Sequence, residues 1–416
     1  MIKILDGKIP IRAWLDAEDI LSFANDYYLK EIKDPLGFNL GDGMKNIKFS
    51  NVITQALNAA NHPLAFHHIA LMPDAHLGMS VPIGSVMACK GGLIPAAVGS
   101  DIGCGMLSVK TSLTGITDHE IRDIIGLIYK KVPVGFNWRE NPISFSPDKM
   151  GSGVILKEQM VNMGLQLGTL GGGNHFIEIQ RNDLGRIYFM IHCGSRNFGK
   201  KVCDHYMGKA DDPNELWHSE VDPKWDLGFL PIGSREAREY IDDMKAALNF
   251  AKLNRCLISE EVKKAFREVV GNCTFEDAID IHHNYAALEN HYGHNVWVHR
   301  KGATSAKKGE IGIIPGSMGT SSYIVEGMGN RESFCSCSHG AGRVMGRMEA
   351  SRKLTLDDCD KSMEGVFHRT WTKNKSGIYD FGEAPQAYKN IEDVMKNQED
   401  LVKPLVKLYP LGVVKG

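Results

Sequence analysis

Short apolar runs broken by glycine dominate the chain between His67 and Lys110. Runs of this length, bounded by turn residues, are typical of β-strands joined by tight loops. A further apolar run lies within the segment Leu184–Cys193 and predicts a buried strand over Ile187–Ile191. The four predicted strands of the first region are His68–Met72, Val81–Cys89, Leu93–Val98 and Met106–Val109.

A different period appears in residues 236–270, where apolar residues recur at steps of three or four. This spacing predicts an amphipathic helix whose apolar stripe packs against the core. The stripe consists of Ile241, Met244, Leu248, Ala251, Ile258, Val262, Phe266 and Val269. Two further helices are predicted, over Asp16–Tyr28 with Asp16 as the N-cap, and over Ile391–Leu408.

These patterns together predict an α+β fold, in which glycine-punctuated β-sheets surround a central site and helices lie at the periphery. We expect a single domain over residues 1–416, because the chemically distinctive motifs run from residue 74 to residue 415. The polar, proline-containing segments near residues 135–160 and 200–235 are expected to be surface insertions.

Composition narrows the class of protein. The chain has 48 basic and 50 acidic residues and a net charge of −2, so any contact with RNA must come from a local basic patch. No stretch approaches the run of about 20 apolar residues that crosses a bilayer, and Met1–Pro10 lacks a secretory signal pattern. We therefore expect a cytoplasmic protein, with its nine cysteines as thiols or metal ligands.

Glycine is in excess, with 44 residues, or about 11% against a usual ~7%. Two of these glycines flank Cys104, which stands three residues after Asp101. In a tight turn, side chains three residues apart can converge on one point. A carboxylate and a thiolate together suit a divalent transition metal, and a thiolate can bridge two ions. The alternative is an aspartate-initiated turn beside a small buried cysteine.

Three histidine sites add possible ligands. His175 follows a glycine run, His192 ends an apolar strand, and His282 and His283 are adjacent. Since neighbouring side chains of a strand face opposite sides, only one of that pair is expected to point into a given site. Neutral imidazole suits manganese, iron, cobalt and zinc. Each histidine by itself is also compatible with a structural, hydrogen-bonded role.

Two segments rich in glycine and serine favour a phosphate site. In Cys335–Arg343, His339 enters a loop of small residues where a phosphate can approach backbone N–H groups, and Arg343 offers a fork for phosphate oxygens. The segment Ile314–Ser322 is not a P-loop but can wrap an anion. Asp74 forms a further acid–histidine pair with His76. A tight turn with a solvent-facing His339 is the alternative.

Taken together, these segments resemble the RtcB family of RNA ligases. The resemblance runs from about residue 65 to the last residue, through the motifs PDAHLG, GSDIGCGM, GGGNHFIEI, HCGSR, HHNY, IIPGSMGTSSYIV, SCSHGAGR and VVKG. It implies a GTP-dependent ligase that joins an RNA 3′-phosphate or 2′,3′-cyclic phosphate to a 5′-hydroxyl through a GMP-histidine intermediate. It also implies two Mn²⁺ ions, GTP as co-substrate and broken RNA as partner; we expect a monomer.

The resemblance also implies residue roles. His339 would be the nucleophile that receives GMP, and Cys104 would be shared by two metal ions. The metal ligands would be Asp101, Cys104, His175, His192 and His283. The guanine nucleotide site would be lined by Asn174, His175, Phe176, Ile177, Glu178, His283, Asn284, Pro315, Gly316, Ser317, Met318, Ser322, His339, Gly340, Ala341, Gly342 and Lys415. Residues near the RNA end or behind the ligands would be Asp74, Arg196 and Arg343.

Some positions depart from the family pattern. Met79-Ser80-Val81 replaces a more glycine-rich continuation of the PDAHLG motif, and Cys193 stands where serine is common. These departures leave the expected chemistry intact and bear on which RNA is the substrate. They fit a role in RNA repair instead of tRNA splicing. Two alternative functions remain: a two-metal RNA phosphodiesterase without a covalent step, and an RNA-binding paralogue without turnover.

Overall fold

The computed structural model describes residues 1–4, 7–16, 19, 51–216, 219–373 and 377–416. The predicted helix over Asp16–Tyr28 lies almost entirely outside these residues. At its expected start, Asp16 Oδ1 accepts a hydrogen bond of 2.7 Å from the backbone N–H of Asp19. This contact agrees with the capping role expected of Asp16.

The described helices are α1 Val52–Asn61, α2 Asp118–Lys131, α3 Pro147–Met150, α4 Val154–Gln166, α5 Arg196–Leu216, α6 Arg235–Val270, α7 Arg347–Lys353, α8 Leu356–Ser362 and α9 Ile391–Lys396. Single 3₁₀ turns lie at Pro95–Ala97, Pro223–Trp225, Arg331–Ser333 and Pro385–Ala387. None of these helices combines the length and apolarity required to cross a bilayer.

The strands are β1 Ile2–Ile4, β2 Ile11–Ala13, β3 Ala65–His76, β4 Ile83–Cys89, β5 Gly92–Leu93, β6 Gly105–Lys110, β7 Phe176–Asn182, β8 Ile187–Cys193, β9 Leu230–Pro231, β10 Ile279–His282, β11 Asn284–His291, β12 His294–Lys301, β13 Ala303–Ser305, β14 Ile311–Ile314, β15 Ser322–Gly327, β16 Ser336–Ser338 and β17 Val402–Lys415. Helices and sheets therefore mix along the chain, as the α+β prediction requires.

Two large sheets organise the fold. One has six strands in the order β1-β2-β3-β4-β12-β11, and the other has seven in the order β10-β6-β8-β7-β17-β15-β14. The pairing of β2 with β3 is parallel, and every other pairing within these two sheets is antiparallel. The chain passes between the sheets at His282–Asn284, where β10 of the larger sheet gives way to β11 of the smaller one.

The long helix α6 confirms the helical periodicity. It begins after Ser234, whose side chain accepts from the backbone N–H of Ala237, and ends at Gly271, which has φ +72°. Of its stripe, Met244, Ala251, Ile258, Val262 and Phe266 are buried, and Ile241, Leu248 and Val269 are partly buried. A serine N-cap is the usual local signal for the start of a helix, and a glycine at positive φ is the usual signal for its end.

Several local predictions are wrong. Leu93–Val98 is not one strand: Leu93 ends β5, and Pro95, which has no N–H for a ladder, begins a 3₁₀ turn. Ile391–Leu408 is not one helix: α9 ends at Lys396, and the chain then enters β17 between β7 and β15.

The segments near 135–160 and 200–235 are also more regular than expected for surface excursions. Helix α4 buries Ile155 and Met163, and α5 buries Tyr206 and Ala210, in one apolar cluster that also contains residues of α6. The exposed aromatic Phe136 belongs to the part of the first segment that does lie at the surface. Apolar contacts with α6 thus hold α4 and α5, which occupy part of these polar-looking stretches, against the core.

Candidate active site

A tight turn before β6 brings Asp101 and Cys104 together. The backbone N–H of Cys104 donates to the Asp101 carbonyl at 3.0 Å, and Gly103 has φ +76°, which a side chain would strain. Asn284 holds this turn from β11, since its Nδ2 donates to the Asp101 carbonyl at 3.0 Å. Its Oδ1 accepts from the Gly302 N–H at 2.7 Å, so the turn is fixed relative to the smaller sheet.

Three histidines from separate elements converge on this turn. Cys104 Sγ lies 3.5 Å from His175 Nε2 and 3.2 Å from His192 Nε2, and His192 Nε2 lies 3.3 Å from His283 Nε2. Two groups of possible metal ligands result, Asp101–Cys104–His175 and Cys104–His192–His283, each with its ligand atoms within 4.8 Å of one another. Cys104 belongs to both groups, an arrangement in which one thiolate can serve two ions.

The histidines are oriented as metal ligands usually are. His175 Nδ1 lies 2.9 Å from the Leu170 carbonyl and His192 Nδ1 lies 3.0 Å from the Asn174 carbonyl. A carbonyl only accepts, so each Nδ1 carries a proton. His192 Nε2 faces Cys104, whereas His175 Nε2 also lies 2.9 Å from Asp101 Oδ2. Although burial opposes it, the neighbouring Cys193 and Cys104 and the Asp101 hydrogen bond raise the pKa of His175 well above its usual range. Burial, together with neighbouring histidines, lowers the pKa of His192 and of His283. Both rings are therefore neutral, as coordination requires.

The adjacent pair at residues 282 and 283 divides as strand alternation predicts. His283 joins the second ligand group, whereas His282 Nδ1 lies 3.0 Å from the Gly103 carbonyl and 3.2 Å from Arg255 Nη2. His282 thus braces the back of the Asp101–Cys104 turn. Arg255 is fully buried and also donates to the Cys193 carbonyl at 2.8 Å, which ties the turn to β8.

His339 is held by a carboxylate from another sheet. Asp74 Oδ2 lies 2.6 Å from His339 Nδ1 and accepts from the backbone N–H groups of His339 at 3.0 Å and Gly340 at 3.2 Å. The Asp74 side chain is completely buried. Because the carboxylate accepts the Nδ1 proton, the Nε2 lone pair of His339 is free to act as a nucleophile. The rings of His339 and His283 stand 4.8 Å apart, so this histidine adjoins the second ligand group.

A cleft with a cavity volume of about 120 Å³ opens beside His339. Of the residues expected around a nucleotide or RNA end, its walls include Asn174, Phe176, Pro315, Gly316, Ser317, Met318, His339, Gly340, Ala341, Gly342, Arg343 and Lys415. Its walls further include His192 of the second ligand group, and also His76, Ile83, Arg347, Glu383 and Tyr388.

Other expected residues lie behind or away from these walls. Glu178 and Ser322 are buried in the sheet beneath the cleft, and Ile177 points to the opposite face of β7, into an apolar cluster. Arg196 lies against the loop that begins at Gly171 and donates from Nε to Thr169 Oγ1 at 3.3 Å. It therefore supports the loop that carries Asn174 and His175 and does not itself line the cleft.

Sequence reasoning missed Glu383, the centre of an ionic cluster in the cleft wall. Its carboxylate lies 3.0 Å from Lys415 Nζ, 2.8 Å from Arg347 Nε and 3.3 Å from Arg343 Nη1, and it accepts from Tyr388 OH at 2.5 Å. Although burial raises it, the charges of Lys415 and Arg347 and the tyrosine hydrogen bond hold the pKa of Glu383 at about 2. This ionised carboxylate therefore fixes Lys415 in the cleft.

The fold and the site define a candidate metalloenzyme, in which two triads of metal ligands share one cysteine beside a carboxylate-held histidine. Comparison with known proteins gives the family. The family model described as tRNA-splicing ligase RtcB matches residues 55–164 and 152–416. The chain belongs to this family.

Three curated relatives illustrate the likeness. The RNA-splicing ligase RtcB of Escherichia coli (strain K12) is 38% identical over 388 residues, covering 87% of this chain and 93% of the relative. The tRNA-splicing ligase RtcB of Pyrobaculum aerophilum is 31% identical, covering 90% of this chain and 93% of the relative. That of Archaeoglobus fulgidus is 30% identical, covering 97% of this chain and all of the relative.

Proposed function

We propose that this protein is an RNA ligase that joins an RNA 3′-phosphate or 2′,3′-cyclic phosphate end to a 5′-hydroxyl end through GMP attached to His339. The observation that carries this proposal is the Asp74–His339 pair, with its 2.6 Å contact, placed in the cleft wall beside the second ligand group. The family and its curated relatives, named as RNA-splicing or tRNA-splicing ligases, support the ligase activity.

The donor set fits a pair of manganese ions. Asp101, Cys104 and His175 would hold one ion, and Cys104, His192 and His283 the other. The buried Nδ1 of His283 has no hydrogen-bond partner among the described residues, so this ring is oriented by its surroundings and not by a carbonyl. Bound manganese would supply positive charge that stabilises phosphate oxygens.

GTP would occupy the cleft as the co-substrate. His339 Nε2 would attack the α-phosphorus, so that an N–P bond forms, the bond to the bridging oxygen breaks and pyrophosphate leaves. The proton on Nδ1 stays in the contact with Asp74. The backbone N–H groups of Ala341 and Gly342 line the cleft, where they can approach phosphate oxygens. The fork of Arg343 is instead occupied by Glu383, Tyr388 and the carbonyls of Gly382 and Met345.

Two transfers would complete the reaction. The RNA 3′-phosphate would displace His339 from the GMP phosphorus, which breaks the N–P bond and forms an anhydride. The RNA 5′-hydroxyl would then attack the 3′-phosphorus, release GMP and leave a phosphodiester. A 2′,3′-cyclic phosphate would first be opened by water. We take the whole chain, 1–416, as one catalytic domain, because the cleft walls extend from His76 to Lys415.

Incubation with α-labelled GTP and Mn²⁺ tests the covalent step. The wild-type protein should gain the mass of one GMP, whereas His339→Ala and His339→Gln should gain none and should retain metal. His119→Gln, which changes an exposed histidine on α2, serves as the matched control and should label normally.

The same variants separate this proposal from its rivals. RNA whose 3′-phosphate already carries GMP should still be joined by His339→Ala, because that substrate bypasses the histidine adduct. RNA cleavage by an unlabelled wild-type protein would instead establish the phosphodiesterase. Label that maps to a lysine peptide would contradict the assignment of His339.

A further inference from the structure

A buried glutamine connects two residues beneath the nucleotide cleft. Gln180 lies on β7 with its side chain fully buried, and its Nε2 donates to Glu178 Oε1 at 2.5 Å and to Ser322 Oγ at 3.1 Å. Ser322 Oγ also accepts from the backbone N–H of Gly316 at 3.2 Å. One amide group thus joins the strand that carries Glu178 to the loop that forms the cleft wall at Gly316.

The hydrogen bonds from Gln180 fix the orientation of the Ser322 hydroxyl and of the Glu178 carboxylate. Because Ser322 Oγ already accepts from Gln180 and from Gly316, its own O–H is available as a donor. Glu178 is likewise turned by the bond to Oε1, which leaves the other carboxylate oxygen for a different donor. Among the described neighbours of Glu178, Lys415 is the charged side chain whose field reaches it.

This arrangement has the chemistry to select a guanine base. The Watson–Crick edge of guanine presents two adjacent donors, N1–H and the 2-amino group, whereas adenine presents an acceptor at N1. An ionised carboxylate accepts from both guanine donors, but a protonated carboxyl does not. Burial raises the pKa of Glu178 to about 8, against the opposing effects of the Gln180 hydrogen bond and the Lys415 charge. The donor from Gln180 therefore favours the form that binds guanine.

We propose that Gln180 is a positioning residue for base selection, which orients Glu178 and aligns it with Ser322. This proposal rests on the proposed function, because it takes GTP as the ligand of the cleft. Gln180 lies below the cleft and acts on the base through its two partners. Its loss should therefore change how tightly and how selectively the nucleotide binds, and should leave the rate of the transfer to His339 at saturation nearly unchanged.

The test measures nucleotide transfer to the protein from GTP and from ITP, without RNA. It compares wild type with Gln180→Met and Gln180→Glu. Gln180→Met keeps the side-chain length and removes the amide; Gln180→Glu keeps the shape and replaces the donor with a second carboxyl. Gln55→Met is the matched control, because Gln55 is also buried and exchanges two hydrogen bonds with Gly78. KM and kcat are followed from about pH 7 to about pH 9 and expressed relative to wild type, which cancels the titration of the other groups.

For Gln180→Met at about pH 7, the KM for GTP should rise about tenfold, the loss of one hydrogen bond to a charged group. The rise in KM should shrink toward about pH 9, because Glu178 becomes ionised there even when the Gln180 hydrogen bond is missing. At about pH 7, the rise in KM should be larger for Gln180→Glu than for Gln180→Met. The preference for GTP over ITP, which lacks the 2-amino group, should narrow in both variants at about pH 7. Gln55→Met should match wild type.

Three results would overturn the inference. The first is a KM for GTP that is unchanged in Gln180→Met. The second is a decrease of kcat in Gln180→Met without any change of KM. The third is a KM that rises equally at every pH and in Gln55→Met, which would indicate a general effect on the fold. A wild-type protein that takes no label from GTP would overturn the proposed function itself, and this inference with it.

Discussion

Replacing Asp74 with asparagine isolates the charge that holds His339. The asparagine oxygen can keep the two backbone bonds from His339 and Gly340, at 3.0 and 3.2 Å in the native protein. The same oxygen still faces Nδ1, 2.6 Å away in the native protein, but this bond loses its charge assistance. A hydrogen bond to a charged group contributes ~1.5–3 kcal/mol and a neutral one ~0.5–1.5 kcal/mol, so about 1–1.5 kcal/mol is lost and the single-turnover rate of guanylylation should fall roughly 5- to 10-fold.

The assay is the initial rate of label transfer from α-labelled GTP at saturating nucleotide, normalised to folded protein by near-ultraviolet circular dichroism. Asp243→Asn is the matched control, since Asp243 is also fully buried and accepts from the backbone N–H groups of Val154, Ile155 and Leu156. It should lower the thermal midpoint and leave the rate per folded molecule unchanged. An Asp74→Asn rate within twofold of wild type would refute the argument that this carboxylate sets the tautomer and direction of His339.

Three further predictions concern the metal ligands and the cleft wall. Cys104→Ala should lose both metal ions in elemental analysis, because one sulfur belongs to both ligand groups, whereas Cys273→Ala, at a buried cysteine outside them, should keep both. Lys415→Met should raise the GTP concentration needed for half-maximal labelling about tenfold, and Lys403→Met, at an exposed lysine of the same strand, should not. Because the pKa of Glu383 is lowered from 4.5 to about 2, its contribution to the free energy of unfolding, about 3 kcal/mol, is present above pH 4.5 and lost as the pH falls toward 2. Chemical denaturation across this range should therefore show a shallower acid dependence for Glu383→Gln than for wild type, and parallel curves would contradict it.

Local chemistry explains which parts of the fold were predictable. The strand β8 and the helix α6 were predicted because each shows its own apolar pattern, and in the structure the helix is capped by Ser234 and ended by Gly271. The segment after Ile391 was assigned to a helix because its local sequence pattern contains no information about the strands that pack against it. Residues from Val402 form a strand because they pair with both β7 and β15. These partners are distant in sequence, so the local pattern does not indicate the pairing.

The same distinction holds for the site. The ligand types were visible because His175 and Cys104 stand beside glycines that allow tight loops. Glu383 was missed because a glutamate in a polar segment normally faces solvent. It is held within the structure only because Lys415, Arg347 and Arg343 approach it from other parts of the fold. A glycine beside a ligand is a local signal, whereas the partners of a buried carboxylate are not.

The position of β17 has a consequence for how the molecule matures. Lys415 pairs with Phe176 of β7, so the strand must find a partner made much earlier by the ribosome. The ligands Asp101 through His283 and the loop after His339 are all synthesised before it. Pairings over such long separations close late in folding, because the entropy of the intervening loop opposes them. A nascent chain should therefore be able to bring the two candidate ligand groups together first and complete the cleft beside His339 last.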